Sequence, residues 1–121
     1  MRIFPDILLL VSGLSWVVRA FDGTLVMLSE SRWEHIVARH PELDGKKDLI
    51  LEAVSNPDEV YVDARGAFHA LKMTPDEVSD YIVVIYEVIA GTGKGFIRTA
   101  YFLSLKRKKR RYRWLRKLRV C

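Results

Sequence analysis

The sequence of 121 residues contains a set of side chains suited to acid–base chemistry on a phosphodiester. RNA is cleaved without a metal ion when a base takes the proton of the 2′-hydroxyl group, cations stabilise the charged intermediate, and an acid protonates the leaving 5′-oxygen. Histidine suits both proton transfers because its pKa lies near neutrality, and basic or hydroxyl side chains can hold the phosphate. The candidates of these types are His35, His40, His69, Lys72, Arg98, Thr99 and Tyr101.

Each histidine also has a structural interpretation. His40 lies beside Trp33 on the apolar side of a short helical stretch, where a core or helix-end histidine is as reasonable as a catalytic one. His35 falls on another side of that stretch, and we interpret it as a solvated surface group. His69 lies in an apolar strand-like run, where burial in a sheet is the alternative to a catalytic role.

The positions of the candidates along the strands predict which of them share a pocket. Side chains alternate between the two faces of a strand, so Lys72 is expected to point away from His69 unless a bulge intervenes. By the same argument Arg98 and Thr99 face opposite sides, whereas Thr99 and Tyr101 share one side. An arginine that follows the apolar residues Phe96 and Ile97 inside a strand is unusual, and anion binding is one explanation for Arg98.

Other common catalytic motifs are missing from the sequence. The segment from Gly91 to Gly95 contains a Gly-Lys pair, but it lacks the spacing of a phosphate-binding P-loop, and we interpret it as a hairpin loop. There is no His-Glu-x-x-His motif and no acidic cluster of the kind that holds Mg²⁺. The lone Cys121 cannot build a cysteine-based zinc site. We therefore expect neither a metal ion nor a cofactor.

Positive charge is concentrated at the C-terminal end. Residues 106–119 contain ten of the twenty basic residues and none of the fifteen acidic ones, although the whole chain carries only +5. A basic segment attracts nucleic acid through counterion release, without reading its sequence. The residues expected to bind a phosphate substrate are Arg65, Lys72, Lys106, Arg107, Arg110 and Arg113.

The N-terminal segment has two interpretations. The mostly apolar run from Ile7 to Val18 is typical of a secretory signal or of a first buried strand. We favour the strand, because Pro5 and Asp6 stand where a signal carries positive charge and Ser12-Gly13 interrupts the run. With a single cysteine in the chain, a cytoplasmic setting fits best. Next, Asp22-Gly23 between two β-branched or aromatic runs predicts a hairpin.

Two helices are predicted after this hairpin. Ser31 and Glu34 match a capping box, and His40-Pro41 supplies the end of the first helix. The second helix is predicted from Lys46 to Ser55, with Asn56-Pro57 as its end.

Strand-like runs occupy the rest of the domain, and their short connections favour antiparallel pairing. The runs are EVYVDA, AFHALKM, DYIVVIYEVIA and FIRTAYFLS. The last segment, KRKKRRYRWLRKLRVC, has apolar residues at three- and four-residue spacing, which indicates a basic amphipathic helix. We therefore expect one domain over residues 1–104 and a basic tail over residues 105–121.

Three stretches resemble a known family when they are taken together. They are the segment Leu28 to Glu42, which contains Arg-Trp-x-His-Ile and Arg-His-Pro-Glu, the segment Asn56 to Val60, and Ile-Arg-Thr-Ala-Tyr at Ile97 to Tyr101. This combination, within residues 21–103, resembles the phage-associated nuclease-fold families grouped with barnase, EndoU, colicin and RelE, called BECR. The N-terminal twenty residues and the basic tail lie outside the resemblance.

The resemblance implies an α+β fold in which the helices pack on a four-stranded antiparallel sheet. We thus expect an N-terminal β-hairpin and two helices on such a sheet, followed by the basic helical tail. The resemblance also implies metal-independent RNA cleavage, often by toxins that act on tRNA or ribosome-bound mRNA. By position it points to His40, Arg98, Thr99 and Tyr101 as pocket residues; His69 is added as catalytic from its chemistry alone.

The sequence therefore favours a toxin-like endoribonuclease. Its partners would be RNA and an antitoxin or immunity protein. The alternative is a catalytically inert domain that binds nucleic acid or protein through its basic tail. A third interpretation, a membrane-surface protein that uses Trp114 and the basic segment, is disfavoured.

Overall fold

The computed structural model describes residues 7–10 and 15–118, with the side chains described from residue 15 onward. The strands are β1 (Ile7–Leu10), β2 (Ser15–Arg19), β3 (Leu25–Ser29), β4 (Glu59–Val62), β5 (Phe68–Met73), β6 (Tyr81–Ile89), β7 (Lys94–Leu103) and β8 (Arg116–Leu118). The helices are α1 (Glu30–Arg39), α2 (Lys47–Ser55) and α3 (Leu105–Arg111), with a 3₁₀ turn at Pro41–Leu43.

The described strands form one mixed sheet of eight, in the order β1-β2-β3-β7-β6-β5-β4-β8. Strands β4 to β7 form an antiparallel meander, while β3 pairs with β7 in parallel and β8 pairs with the other edge at β4. The prediction of a four-stranded antiparallel sheet was therefore wrong. Both edges of the meander expose backbone groups, and the N-terminal hairpin and the C-terminal segment satisfy them.

The predicted hairpin at Asp22-Gly23 is confirmed by the antiparallel pairing of β2 with β3. Gly23 has a φ of 92°, which favours glycine, and the Asp22 carboxylate accepts a 3.1 Å hydrogen bond from the Thr24 N–H. The hairpin loop predicted around Gly91 is also present, since Ile89 pairs with Lys94.

The first apolar run is divided between β1 and β2, which pair with each other. A strand is therefore present where we expected the first one. The residues that decided between strand and signal, Pro5, Asp6 and Ser12-Gly13, lie outside the described residues, as does Cys121.

Helix α1 begins two residues earlier than predicted. Its N-cap is Ser29, whose hydroxyl accepts a 3.2 Å hydrogen bond from the Arg32 N–H, so the expected cap at Ser31 was wrong. Its end at His40 agrees with the prediction. The fully buried Ile36 fixes the rotation of the helix against the sheet. Helix α2 follows the predicted span and buries Ile50 and Val54.

The sheet has a hydrophobic core on each face. The larger core lies under α1 and α2 and includes Ile36, Ile50 and Tyr86. The second core includes Leu71, Val83 and Tyr112, and Leu115 packs against it. This second core lies on the face that the C-terminal segment covers.

The prediction of a C-terminal helical tail was wrong. Helix α3 ends at Arg111, a turn follows, and the chain then forms β8. Tyr112 is only 4% exposed, so the apolar spacing that indicated a helix instead reflects a buried turn and a short strand. This packing fixes the basic side chains of the segment relative to the sheet.

Candidate functional site

A groove of about 920 Å³ lies between α1, the β6–β7 strand pair, the β4–β5 turn and α3. Its lining comprises six arginines, two histidines, three carboxylates and five other residues: Arg32, His35, Arg39, His40, Glu42, Asp63, Arg65, Ala67, Ile85, Glu87, Arg98, Thr99, Tyr101, Phe102, Arg107 and Arg111. The excess of guanidinium groups over carboxylates makes the groove suited to an anionic ligand.

Helix α1 forms the wall that contains both histidines. Arg32, His35 and Arg39 are spaced so that they follow one side of the helix. His40 joins them because it is the C-cap, where a φ of −133° ends the helical rotation of side chains. His35 is exposed, as expected for a solvated surface group. Both imidazoles border the same groove.

His40 is held at the helix end by its backbone. Its N–H donates a 2.7 Å hydrogen bond to the Ile36 carbonyl, and Pro41 begins the following 3₁₀ turn. The imidazole lies 5.9 Å from the ring of Tyr101, between ring centroids. Nδ1 of His40 lies 3.8 Å from the Glu42 carboxylate, and the His40 side chain is 30% exposed. The ring is thus both oriented and open to a ligand.

A β-bulge at Arg98 changes which side chains of β7 share a face. Tyr86 pairs with Ile97, but the preceding Ile85 pairs with Thr99, so Arg98 is the extra residue. Ile97 and Ala100 both lie in the core beneath the helices, although they are three positions apart. Arg98 and Thr99 therefore both face the groove, and the expectation that they point to opposite sides was wrong.

The Arg98 guanidinium is exposed enough to meet a ligand. Its Nη1 donates a 2.8 Å hydrogen bond to the Glu87 carboxylate, and the two side chains are 49% and 40% exposed. An ion pair this exposed contributes little to stability. A phosphate could therefore replace Glu87 as the partner of Arg98.

Helix α3 forms the opposite wall. Ser104 caps it by accepting a 3.2 Å hydrogen bond from the Arg107 N–H, and Arg107 and Arg111 are one helical turn apart, so both line the groove. Nη1 of Arg111 donates a 2.7 Å hydrogen bond to the Tyr101 hydroxyl. Tyr101 is therefore held between His40 on one wall and Arg111 on the other.

His69 is separated from the groove by Asp63. It is 7% exposed, its Nδ1 lies 2.8 Å from the Tyr112 hydroxyl, and its Nε2 lies 2.9 Å from the Asp63 carboxylate. Asp63 itself lines the groove. With both ring nitrogens engaged, His69 is placed to hold Asp63 and not to touch a substrate, contrary to its predicted role as a catalytic group.

The groups around His69 have shifted pKa values. Burial raises the pKa of Asp63, but hydrogen bonds from His69 and from the N–H groups of Ala67 and Arg65 outweigh it, so the pKa lies below its usual value. Burial, together with the nearby Tyr101, raises the pKa of the Tyr112 phenol. Asp63 is therefore a carboxylate and Tyr112 a neutral phenol at neutral pH.

The predicted phosphate-binding residues divide into two groups. Arg65 and Arg107 line the groove. Lys72 donates a 3.0 Å hydrogen bond to the Asn56 carbonyl and borders a separate groove of about 580 Å³. The alternation of β5 thus separates Lys72 from His69, as predicted. The remaining three, Lys106, Arg110 and Arg113, are exposed on the outside of the C-terminal segment.

Several lining residues were not singled out from the sequence. Arg32 and Arg39 follow the same side of α1 as His35, and Arg111 follows Arg107 by four positions, so helical spacing could have identified them. Asp63 and Glu87 gave no such signal. They become part of the site only through the pairing of β4 to β7.

Comparisons with known proteins identified no relative: no protein-family model matches the chain, and no match was found among curated proteins or solved structures. The family resemblance therefore stays a prediction. No helix in the described part of the chain is both long and apolar enough to cross a membrane. Within the same residues, no three His, Cys, Asp or Glu side chains are grouped as ligands for a metal ion.

Proposed function

We propose that this protein is a metal-independent endoribonuclease and that the arginine-rich groove binds the RNA strand. The observation that carries the proposal is the convergence of His40, Arg98 and Tyr101 on one groove, although they come from a helix end, a bulged strand position and a regular strand position. Imidazole, guanidinium and phenol groups around one anionic substrate are the inventory that 2′-hydroxyl attack requires.

The reaction is a transesterification within the RNA backbone. A base takes the 2′-hydroxyl proton, the 2′-oxygen forms a bond to phosphorus, and the bond from phosphorus to the 5′-oxygen breaks. An acid protonates the leaving oxygen, which gives a 2′,3′-cyclic phosphate and a 5′-hydroxyl end. We assign the two proton transfers to His40 and His35, because both border the groove and an imidazole can both take up and release a proton.

The remaining groups of the groove bind the phosphate. Arg98, Arg107 and Arg111 stabilise the additional negative charge of the intermediate, since arginine stays protonated and offers several donors. Thr99 and Tyr101 orient the phosphate from the strand. His69 acts through Asp63, which it positions at the wall of the groove.

The same proposal includes the setting and the partners. RNA is the substrate, and the protein acts in the cytoplasm. A toxin-like nuclease needs neutralisation, and an acidic antitoxin or immunity protein that covers the groove would match its excess of arginines.

A second candidate function is RNA binding without cleavage. The excess of six arginines over three carboxylates in the groove favours it, because this charge attracts an RNA strand whether or not any proton transfer follows. The two candidates differ in a single observable, the appearance of cleaved RNA.

The experiment is incubation of the purified protein with total RNA in EDTA. We expect cleavage, and we expect His40→Ala to reduce it by about 100-fold or more, the usual contribution of one acid–base group. Lys94→Gln is the control, because Lys94 is exposed at the end of β7 away from the groove. Intact RNA at every protein concentration, or equal cleavage by the His40→Ala protein, would reject the proposal.

A further inference from the structure

A tight turn between α3 and β8 presents a tryptophan to solvent. The Leu115 N–H donates a 3.3 Å hydrogen bond to the Tyr112 carbonyl, which leaves Arg113 and Trp114 at the tip of the turn. Trp114 is 81% exposed, whereas Tyr112 is 4% exposed. A ligand that covers this ring removes a large apolar surface from water, which favours binding.

Both ends of the turn are anchored in the second core. The Tyr112 ring lies 4.8 Å from Tyr61 and 5.4 Å from His69, between ring centroids, and Leu115 packs against the same core. The backbone of the turn is therefore held in place before any ligand arrives. Such preorganisation lowers the entropic cost of binding.

The turn lies at the end of the sheet where the groove is found. In the antiparallel pairing of β8 with β4, Arg116 is opposite Val62. The residues before Arg116 therefore lie next to those after Val62, which are Asp63 and Arg65 of the groove lining. Arg111, just before the turn, also lines the groove. The turn that carries Trp114 therefore lies at the end of the sheet that holds the groove, next to two of its lining segments.

The chemistry of this tip fits an unpaired nucleobase. The Arg113 guanidinium carbon lies 5.1 Å from the centroid of the Trp114 ring, so a base on the opposite ring face would extend a cation–aromatic stack. Stacking on an aromatic side chain is a common way of holding single-stranded nucleic acid, whereas the bases of a duplex are already stacked on each other.

We propose that Trp114 is a stacking platform for an unpaired nucleobase of a strand whose phosphates lie in the groove, so that single-stranded RNA is the preferred substrate. This inference rests on the proposed function. A lipid surface is the less favoured occupant, because Tyr112 and Leu115 point inward and only one large apolar side chain of the turn would insert.

The test compares the binding of a 2′-O-methyl oligonucleotide, which cannot be cleaved by 2′-hydroxyl attack, with that of its duplex, by fluorescence anisotropy on full-length variants. We expect Trp114→Ala and Trp114→Leu to weaken single-strand binding about tenfold and Trp114→Phe to retain most of it. Duplex affinity and the salt dependence should not change, because no phosphate contact is lost. Phe96→Leu, which removes a partly exposed ring outside the groove, is the matched control.

Two results would overturn the inference. One is unchanged single-strand binding by the Trp114→Ala protein, and the other is an equal loss for single strand and duplex. Trp114-dependent binding to phosphatidylserine vesicles with unchanged single-strand affinity would assign the turn to a lipid surface instead. The total-RNA assay separates the two proposals: cleavage without Trp114 dependence rejects the inference alone, and Trp114-dependent binding without cleavage rejects the nuclease proposal alone.

Discussion

His69 shows how a single residue can have suitable chemistry and a different position from the one expected. Its ring lies between the Tyr112 hydroxyl and the Asp63 carboxylate, and the ring is almost fully buried. A neutral imidazole satisfies both contacts when Nδ1 accepts a hydrogen bond from the Tyr112 hydroxyl and Nε2–H donates one to the Asp63 carboxylate. Asp63 therefore lines the groove, whereas His69, which holds the Asp63 carboxylate, does not.

This arrangement predicts how stability depends on pH. The pKa of Asp63 is lower in the folded state, since the hydrogen bonds from His69 and two backbone N–H groups outweigh burial. Its stabilising contribution is thus complete above the usual aspartate pKa near 4 and is lost as the pH falls through the lower folded-state pKa. We expect Asp63→Asn to reduce the free energy of unfolding by roughly 1–2 kcal/mol at neutral pH.

Urea unfolding at a series of pH values checks this prediction. The difference between the wild type and Asp63→Asn should shrink as the pH drops below about 4, the usual aspartate pKa. Asp76→Asn, at an exposed carboxylate in the β5–β6 loop, serves as the control. A difference that stays constant down to the acid transition would show that the ionised carboxylate is not what stabilises the fold.

Residue types and the family resemblance together identified part of the candidate site. His40, Arg98, Thr99 and Tyr101 were chosen for their chemistry and by the family resemblance, and the structure brings all four to one groove. Asp63 was not chosen, because a carboxylate after a strand has no distinctive pattern. Asp63 is placed at the groove only by the pairing of β4 with β5 and by its hydrogen bond with the buried His69.

At the scale of elements, the bulge in β7 decides the composition of the groove. Simple alternation would send either Arg98 or Thr99 into the core beneath the helices. The extra residue lets Ile97 and Ala100 both fill that core while Arg98 and Thr99 both face the groove. No residue pattern indicates the bulge, since the run from Phe96 to Leu103 is typical of a regular strand.

The bulge predicts an unusual tolerance to deletion. Removing Arg98 should restore regular pairing of Ile97 and Thr99 with β6 and lower the free energy of unfolding by no more than about 2 kcal/mol. Removing Ala100 should lower the free energy of unfolding further, because closing the bulge would then place the polar Thr99 in the buried position of Ala100 and Arg98 in the position of Thr99. Circular dichroism during thermal unfolding distinguishes the two variants.

The matched point variant is Arg98→Gln, which removes the charge and keeps the bulge. We expect it and the Arg98 deletion to weaken RNA binding by about tenfold each, because both lose a charge-assisted phosphate contact. Equal unfolding of both deletion variants would contradict the assignment of the bulge. Wild-type RNA affinity of Arg98→Gln would contradict the role of the side chain.

At the scale of the whole molecule, the C-terminal segment is part of the fold. Lys108 lies 2.8 Å from the Glu59 carboxylate, and β8 pairs with β4 over Arg116–Leu118. Deleting the segment would expose the second core around Tyr112, so such a deletion would confuse lost binding with lost folding. Substitutions of exposed basic residues test its role more cleanly.

The residue patterns do not predict how many strands join the sheet. Short connections between consecutive strands predict the antiparallel meander, because neighbours in the chain pair locally. The parallel pairing of β3 with β7 joins segments far apart in the chain, and the three residues of β8 are too few to show an alternating pattern. Both pairings depend on which edges the meander leaves free.

The most direct test of cleavage by 2′-hydroxyl attack uses two single-stranded substrates in EDTA. One is a DNA oligonucleotide that contains a single ribonucleotide, and the other is the same sequence made entirely of DNA. Attack by the 2′-hydroxyl group predicts cleavage only after the ribose, with a 2′,3′-cyclic phosphate and a 5′-hydroxyl end found by mass spectrometry, and the loss of both products in the His40→Ala protein. Cleavage of the all-DNA strand, products with a 5′-phosphate, or no cleavage at all would contradict it.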